Sequence, residues 1–201
     1  MMKRTVLYLL AAACILAGCS RSQKFKISGD LASAGLPEDT ESIQLISEGL
    51  AQPLTAVVTD GSFTIEGEVE KPALAKLISS SRKQQRFPAV ILEKGEITFE
   101  DGRPVGTPLN EENKAFIQQL KDIRKQYAGN RDEFIKATDE AYLAFVSKHK
   151  KDPCAVFAIL LADQRLAPET ILKLIATASP ENQNVGEVRT LAKKLKKKMA
   201  Q

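Results

Sequence analysis

From Phe25 to about Val105, apolar residues recur at every second position. "FKISGDL" sets Phe25, Ile27, Gly29 and Leu31 on one face, and "SFTIEGEV" does the same with Phe63, Ile65, Gly67 and Val69. Successive strand side chains point to opposite faces of a sheet, so this spacing predicts strands buried on one side. Ile43 to Ile46 and Leu74 to Ile78 supply further short strands. Asp60-Gly61 suits a type I′ turn, in which both central residues need positive φ, and predicts a hairpin from "LTAVVT" into "SFTIEGEV". Lys94-Gly95 predicts a second hairpin, from "AVILE" to "EITFE". Short strands separated by turn residues indicate an antiparallel sandwich or barrel.

After Asn110 the period changes. Phe116, Ile117, Leu120, Ile123 and Tyr127 share one helical stripe, with Asn110 as the expected N-cap and Gly129 as the stop. Asn130 followed by Glu133 has the form of a capping box. It opens a helix expected to bury Phe134, Ile135, Tyr142, Phe145 and Val146. Asp152-Pro153 reads as N-cap and first helical residue ahead of "AVFAILLA". Pro168 and Ser179-Pro180 open two more helices, the last ending in "AKKLKKKMAQ". The expectation is an α+β chain: an antiparallel β-sandwich-like domain over 25–109, then a helical subdomain over 110–201.

The first residues follow neither period. Lys3 and Arg4 precede an apolar run from Val6, about fourteen residues at most, that meets Arg21. Crossing a bilayer takes roughly twenty apolar residues. Positive charge, a short apolar core and small residues at its end are the layout of a secretory signal peptide over 1–18. Leu16-Ala17-Gly18-Cys19 resembles a lipobox, which implies signal-peptidase cleavage before Cys19 and a diacylglycerol thioether on its sulfur. A linker, 19–24, would then hold the folded body beside the membrane. Ser20 is not the aspartate that retains lipoproteins in the inner membrane of enteric bacteria, so the expected location is the outer membrane, facing the periplasm.

Composition narrows the function classes. Hydrophobic content of 43% with 27% charged residues is that of an ordinary globular protein. Lys3 and Arg4 leave with the signal, so 29 basic residues fall to 27 against 25 acidic, a net of +2. That balance, with no tryptophan, argues against nucleic acid. Of the three cysteines, Cys14 leaves and Cys19 carries lipid, so Cys154 has no internal disulfide partner and no C-x-x-C pair exists.

"FKISGDL", "TDGSFTIEGEVEKPALAKL", "ILEKGEITF" and "VGTPLNEENKAF" together resemble the N-terminal domain of unknown function of Gram-negative thiol-disulfide oxidoreductase lipoproteins. The pattern is carried by Phe25, Ile27 and Gly29; by Asp60, Gly61, Phe63, Gly67 and Pro72; by Leu92, Glu93 and Gly95; and by Gly106, Thr107, Leu109 and Asn110. "KDPCAVFAILLA" is similar to the helical connector of longer members. In those members a thioredoxin-like domain follows, which this sequence does not contain. The resemblance therefore implies no enzyme and no cofactor. It implies a membrane-anchored binding or scaffold module, with a thioredoxin-like envelope protein as its partner.

Candidate chemistry is sparse. Cys154 begins a helix, where the dipole lowers a thiol pKa, yet "CAVFAILLA" reads as core, the expected outcome. His149, the only histidine, sits at a helix end among lysines, and no further metal ligands at a defined spacing are evident. Lys193, Lys194, Lys196, Lys197 and Lys198 form the strongest charge run, either a solvated helix end or a surface for anionic headgroups. The alternative function is an enzyme using loop carboxylates such as Glu93 or Asp101.

Overall fold

The computed structural model describes residues 22–83 and 88–200. Leu16, Ala17, Gly18 and Cys19 lie outside the described residues. Eight strands form two four-stranded sheets: β1 (Gln23–Asp30), β2 (Ser42–Ser47), β3 (Leu54–Val57), β4 (Ser62–Val69), β5 (Ala73–Ser79), β6 (Ala89–Leu92), β7 (Gly95–Glu100) and β8 (Arg103–Val105). The strand orders are β4-β1-β7-β8 and β3-β2-β5-β6. Phe25, Ile27, Phe63, Ile65 and Ile97 from the first sheet pack with Ile43, Leu45, Leu77, Val90 and Leu92 from the second in one core. The alternation read from the sequence is the alternation that is buried. Gly67 lies opposite Phe25 in the ladder, and a Cβ there would meet the Phe25 ring at 2.6 Å, so glycine makes room for that ring.

The sheets differ from a plain meander in two ways. Pairing is antiparallel except between β1 and β7, which run parallel at Phe25↔Gly95, Lys26↔Glu96 and Ile27↔Ile97. The two expected hairpins are crossings between sheets. Asp60 and Gly61 do turn with positive φ, 50° and 72°, and Thr59 and Ser62 exchange both backbone hydrogen bonds. Yet β3 continues beside β2, while β4 pairs over its full length with β1. Likewise β6 pairs with β5, and Gly95 carries the chain over to β7. The reason lies in β6, an apolar run buried on both faces. Val90 and Leu92 face the sandwich and Ile91 faces the helices. A strand covered on both sides belongs between layers.

Six helices follow: α1 (Pro108–Gln126), α2 (Arg131–Lys148), α3 (Pro153–Ala162), α4 (Pro168–Thr177), α5 (Pro180–Gln183) and α6 (Gly186–Met199). Proline occupies the first turn of α1, α3, α4 and α5, where its missing N–H costs no hydrogen bond. The final helix expected from Ser179 is split, with α5 ending at Gln183 before α6 begins. Phe116, Leu120, Tyr142, Phe145, Val156, Ile159, Leu174 and Leu191 form the second core, which includes Ile91. Ile135, expected inside, is 46% exposed.

Asn110 is not an N-cap. Thr107 holds that position, and Asn110 is fully buried one turn into α1. Its side chain accepts from the Ile91 N–H (3.0 Å) and donates to the Ile91 carbonyl (2.8 Å) and to Thr107 Oγ1 (2.8 Å). The amide thus serves the outer edge of β6 as another strand would, and clasps α1 to the sheet. Glu93 adds a second tie, its Oε1 accepting the Leu109 N–H at 2.7 Å. On another side of the molecule, Lys71 pairs with Glu181, Lys76 with Glu187, and Glu48 Oε1 accepts the Gly186 N–H at 2.9 Å. These residues border a groove of about 690 Å³ between β5 and α3, α5 and α6.

Candidate metal centre

The end of α2 and the start of α3 are joined by a tight turn. His149 closes α2, its N–H bonded to the Phe145 carbonyl, and the Asp152 N–H returns to the His149 carbonyl at 3.1 Å. Lys150 and Asp152 are held from outside, since Asn182 Nδ2 donates to both their carbonyls at 3.1 and 2.8 Å. Asp152 is the N-cap of α3, as the Asp-Pro pair predicts, but it uses only one oxygen for that role. Oδ1 accepts the Cys154 N–H at 3.0 Å, and Oδ2 lies 3.0 Å from His149 Nδ1.

Cys154 follows on the first turn of α3, fully buried, and donates its thiol hydrogen to the Leu109 carbonyl at 3.5 Å. His149, Asp152 and Cys154 each offer a donor atom, and the three lie within 4.8 Å of one another. A tetrahedral zinc site with bonds of about 2.0–2.3 Å separates its donors by roughly 3.3–3.8 Å. Holding such an ion would take a contraction of about 1 Å at the cluster's widest spacing.

The electrostatics suit a cation. Burial pushes the Cys154 thiol well above its ordinary pKa, and the Asp152 carboxylate, then those of Glu93 and Glu112, push it further. A thiolate in that position lacks a compensating positive charge. His149 is 5% exposed, and its Nε2 has no hydrogen-bond partner among the described residues. Glu112 Oε2 lies 3.6 Å from that nitrogen and is held by Lys148 at 2.7 Å, which keeps the Glu112 carboxyl below its usual range. Phe145 packs against the imidazole with centroids 4.5 Å apart and fixes its plane. Coordination through Nδ1 would leave the Nε2 hydrogen facing Glu112, the carboxylate–histidine–metal relay common around bound metals.

No protein-family model, curated protein or solved structure matches this chain. What the protein does must be read from the site itself, and here two expectations are corrected. His149 does have further candidate donors beside it: "HKKDPC" carries His, Asp and Cys at positions i, i+3 and i+5, and the turn between α2 and α3 folds them together. The expectation of a chain with no enzymatic centre is overturned by the same buried cluster, which offers an imidazole, a carboxylate and a thiol to one ligand atom.

Cys154 is core, as expected. Glu93 is buried and caps the first turn of α1, close enough to Cys154 to act on its thiol. Asp101 turns β7 into β8 with φ 49° and does not join the cluster. Lys193, Lys194, Lys196, Lys197 and Lys198 are exposed on α6, with Lys194 paired to Asp163 at 2.9 Å. Among the described residues no helix is long and apolar enough to cross a membrane.

Proposed function

We propose that the protein is a metal-dependent protein of the cell envelope that binds a divalent transition-metal ion, zinc foremost, through His149 Nδ1, an Asp152 oxygen and Cys154 Sγ. The observation that carries this reading is the convergence of those three donor types within 4.8 Å around a buried thiol whose proton a cation would displace. Imidazole, carboxylate and thiolate are all zinc ligands, and three protein ligands with one open position are the plan of catalytic rather than structural sites. A metal ion held this way lowers the pKa of its bound water, so hydrolysis is the reaction class the site supports. Asp152 also lines the groove of about 690 Å³ between sheet and helices.

The Leu16-Ala17-Gly18-Cys19 pattern supports lipid anchoring at Cys19, and Ser20 in place of a retention aspartate supports placement at the periplasmic face of the outer membrane. A thioredoxin-like envelope protein is the partner class that the family resemblance supports.

Titration of the metal-free protein with Co²⁺ tests the centre. One equivalent should bring up a near-ultraviolet thiolate-to-cobalt band, and Zn²⁺ should abolish it. Cys154→Ser should lose the band, and Glu112→Gln should weaken zinc binding by about 10–100-fold. Absence of the band, or zinc affinity unchanged in both Cys154→Ser and His149→Ala, would refute the proposal.

A further inference from the structure

The lysines of α6 form a surface independent of the metal centre. At 100° per residue, Val188, Leu191 and Leu195 lie on one side of this helix, and all three are buried in the helical core. Arg189, Lys193, Lys196 and Lys197 recur at i, i+4, i+7 and i+8 and fall on the opposite side, all exposed. None of these four makes an ion pair among the described residues. Lys194, off the stripe, is taken by Asp163, and Glu187, the single acid of α6, is taken by Lys76. The stripe is thus a row of cations with no ion pair among the described residues, on a helix that carries no aromatic residue.

We infer that this stripe is a docking surface for an anionic phospholipid bilayer, and that it turns α6 towards the membrane. A row of exposed, unpaired cations on one helix face recognises charge density, and a lipid headgroup layer supplies such density over a wide area. Each lysine near an anionic surface contributes about fivefold in partition, so Lys193, Lys196 and Lys197 together contribute roughly a hundredfold.

The test uses the full chain reconstituted into vesicles of phosphatidylcholine alone, or of phosphatidylcholine with phosphatidylglycerol. A water-soluble amine reagent acetylates the lysines, and mass spectrometry reads each site. At low salt the anionic vesicles should slow labelling of Lys193, Lys196 and Lys197 by about threefold or more, with recovery at high salt. Lys125 on α1 and Lys136 on α2 should label alike on both vesicles. Equal labelling of the stripe on both vesicles overturns the inference. So does protection on neutral vesicles as well, which would mean occlusion by another copy or by the bilayer without charge recognition. Neither outcome depends on metal binding, so this inference and the metal centre fail separately.

Discussion

Replacing Asn110 by alanine should uncouple α1 from the sandwich at a cost worked from its contacts. The amide satisfies both the N–H and the C=O of Ile91, at 3.0 and 2.8 Å, and all of these groups are inaccessible to water. Each buried backbone group left without a partner costs about 1–3 kcal/mol. Thr107 Oγ1, which accepts the second amide hydrogen at 2.8 Å, loses that bond too. Relief of burying the amide offsets part of this, leaving a loss of roughly 2–5 kcal/mol, a large share of the 5–15 kcal/mol typical of a folded domain. With a urea slope of about 2 kcal/mol/M, the denaturation midpoint should fall by about 1–2.5 M. Urea titration followed by far-ultraviolet circular dichroism reads this directly. Gln118→Ala, which removes only an exposed bond to Asp122, serves as the control and should stay within about 0.5 kcal/mol of the parent. A midpoint shift below about 0.3 M for Asn110→Ala would show that the amide is not what joins the two layers.

Two further outcomes follow from burial. The native Cys154 thiol should react with a water-soluble thiol reagent roughly a hundredfold more slowly than in denaturant, because reaction waits for local opening; rapid native labelling would contradict its place in the core. Burial pushes the Tyr142 phenol up to about 12, whereas an unfolded tyrosine ionises near 10. Between those values the unfolded chain has given up a proton that the folded chain keeps, so this contribution to stability is whole below pH ~10 and is lost as pH rises through about 12. Tyr142→Phe should flatten that alkaline loss in equilibrium unfolding. At neutral pH it should cost under about 1 kcal/mol, since the hydroxyl has no hydrogen-bond partner among the described residues. An unchanged alkaline slope in Tyr142→Phe would place the titration elsewhere.

Local chemistry was legible wherever neighbours in the chain decide it. Alternation of Phe25 with Ile27 and of Phe63 with Ile65 dictates strands with one wet side, and Asp60-Gly61 dictates its turn through φ alone. Asn130 and Asp152 cap their helices because a short side-chain oxygen there reaches a free N–H two or three residues on. Which strand lies beside which is a different matter. Thr59 and Ser62 close their turn, but the long ladder between β1 and β4 outweighs any further pairing of β4 with β3. Ile91 looks like any other strand residue until α1 and α3 cover its face, and only then does Asn110 become a clasp rather than a cap. The candidate cluster was written in the chain as His149, Asp152 and Cys154, a signal available in "HKKDPC". Its meaning rested on the tight turn between α2 and α3, which folds the three side chains together. A periodic pattern records which side of an element meets water, whereas a site needs side chains of different elements to converge, and that is settled by how the elements pack.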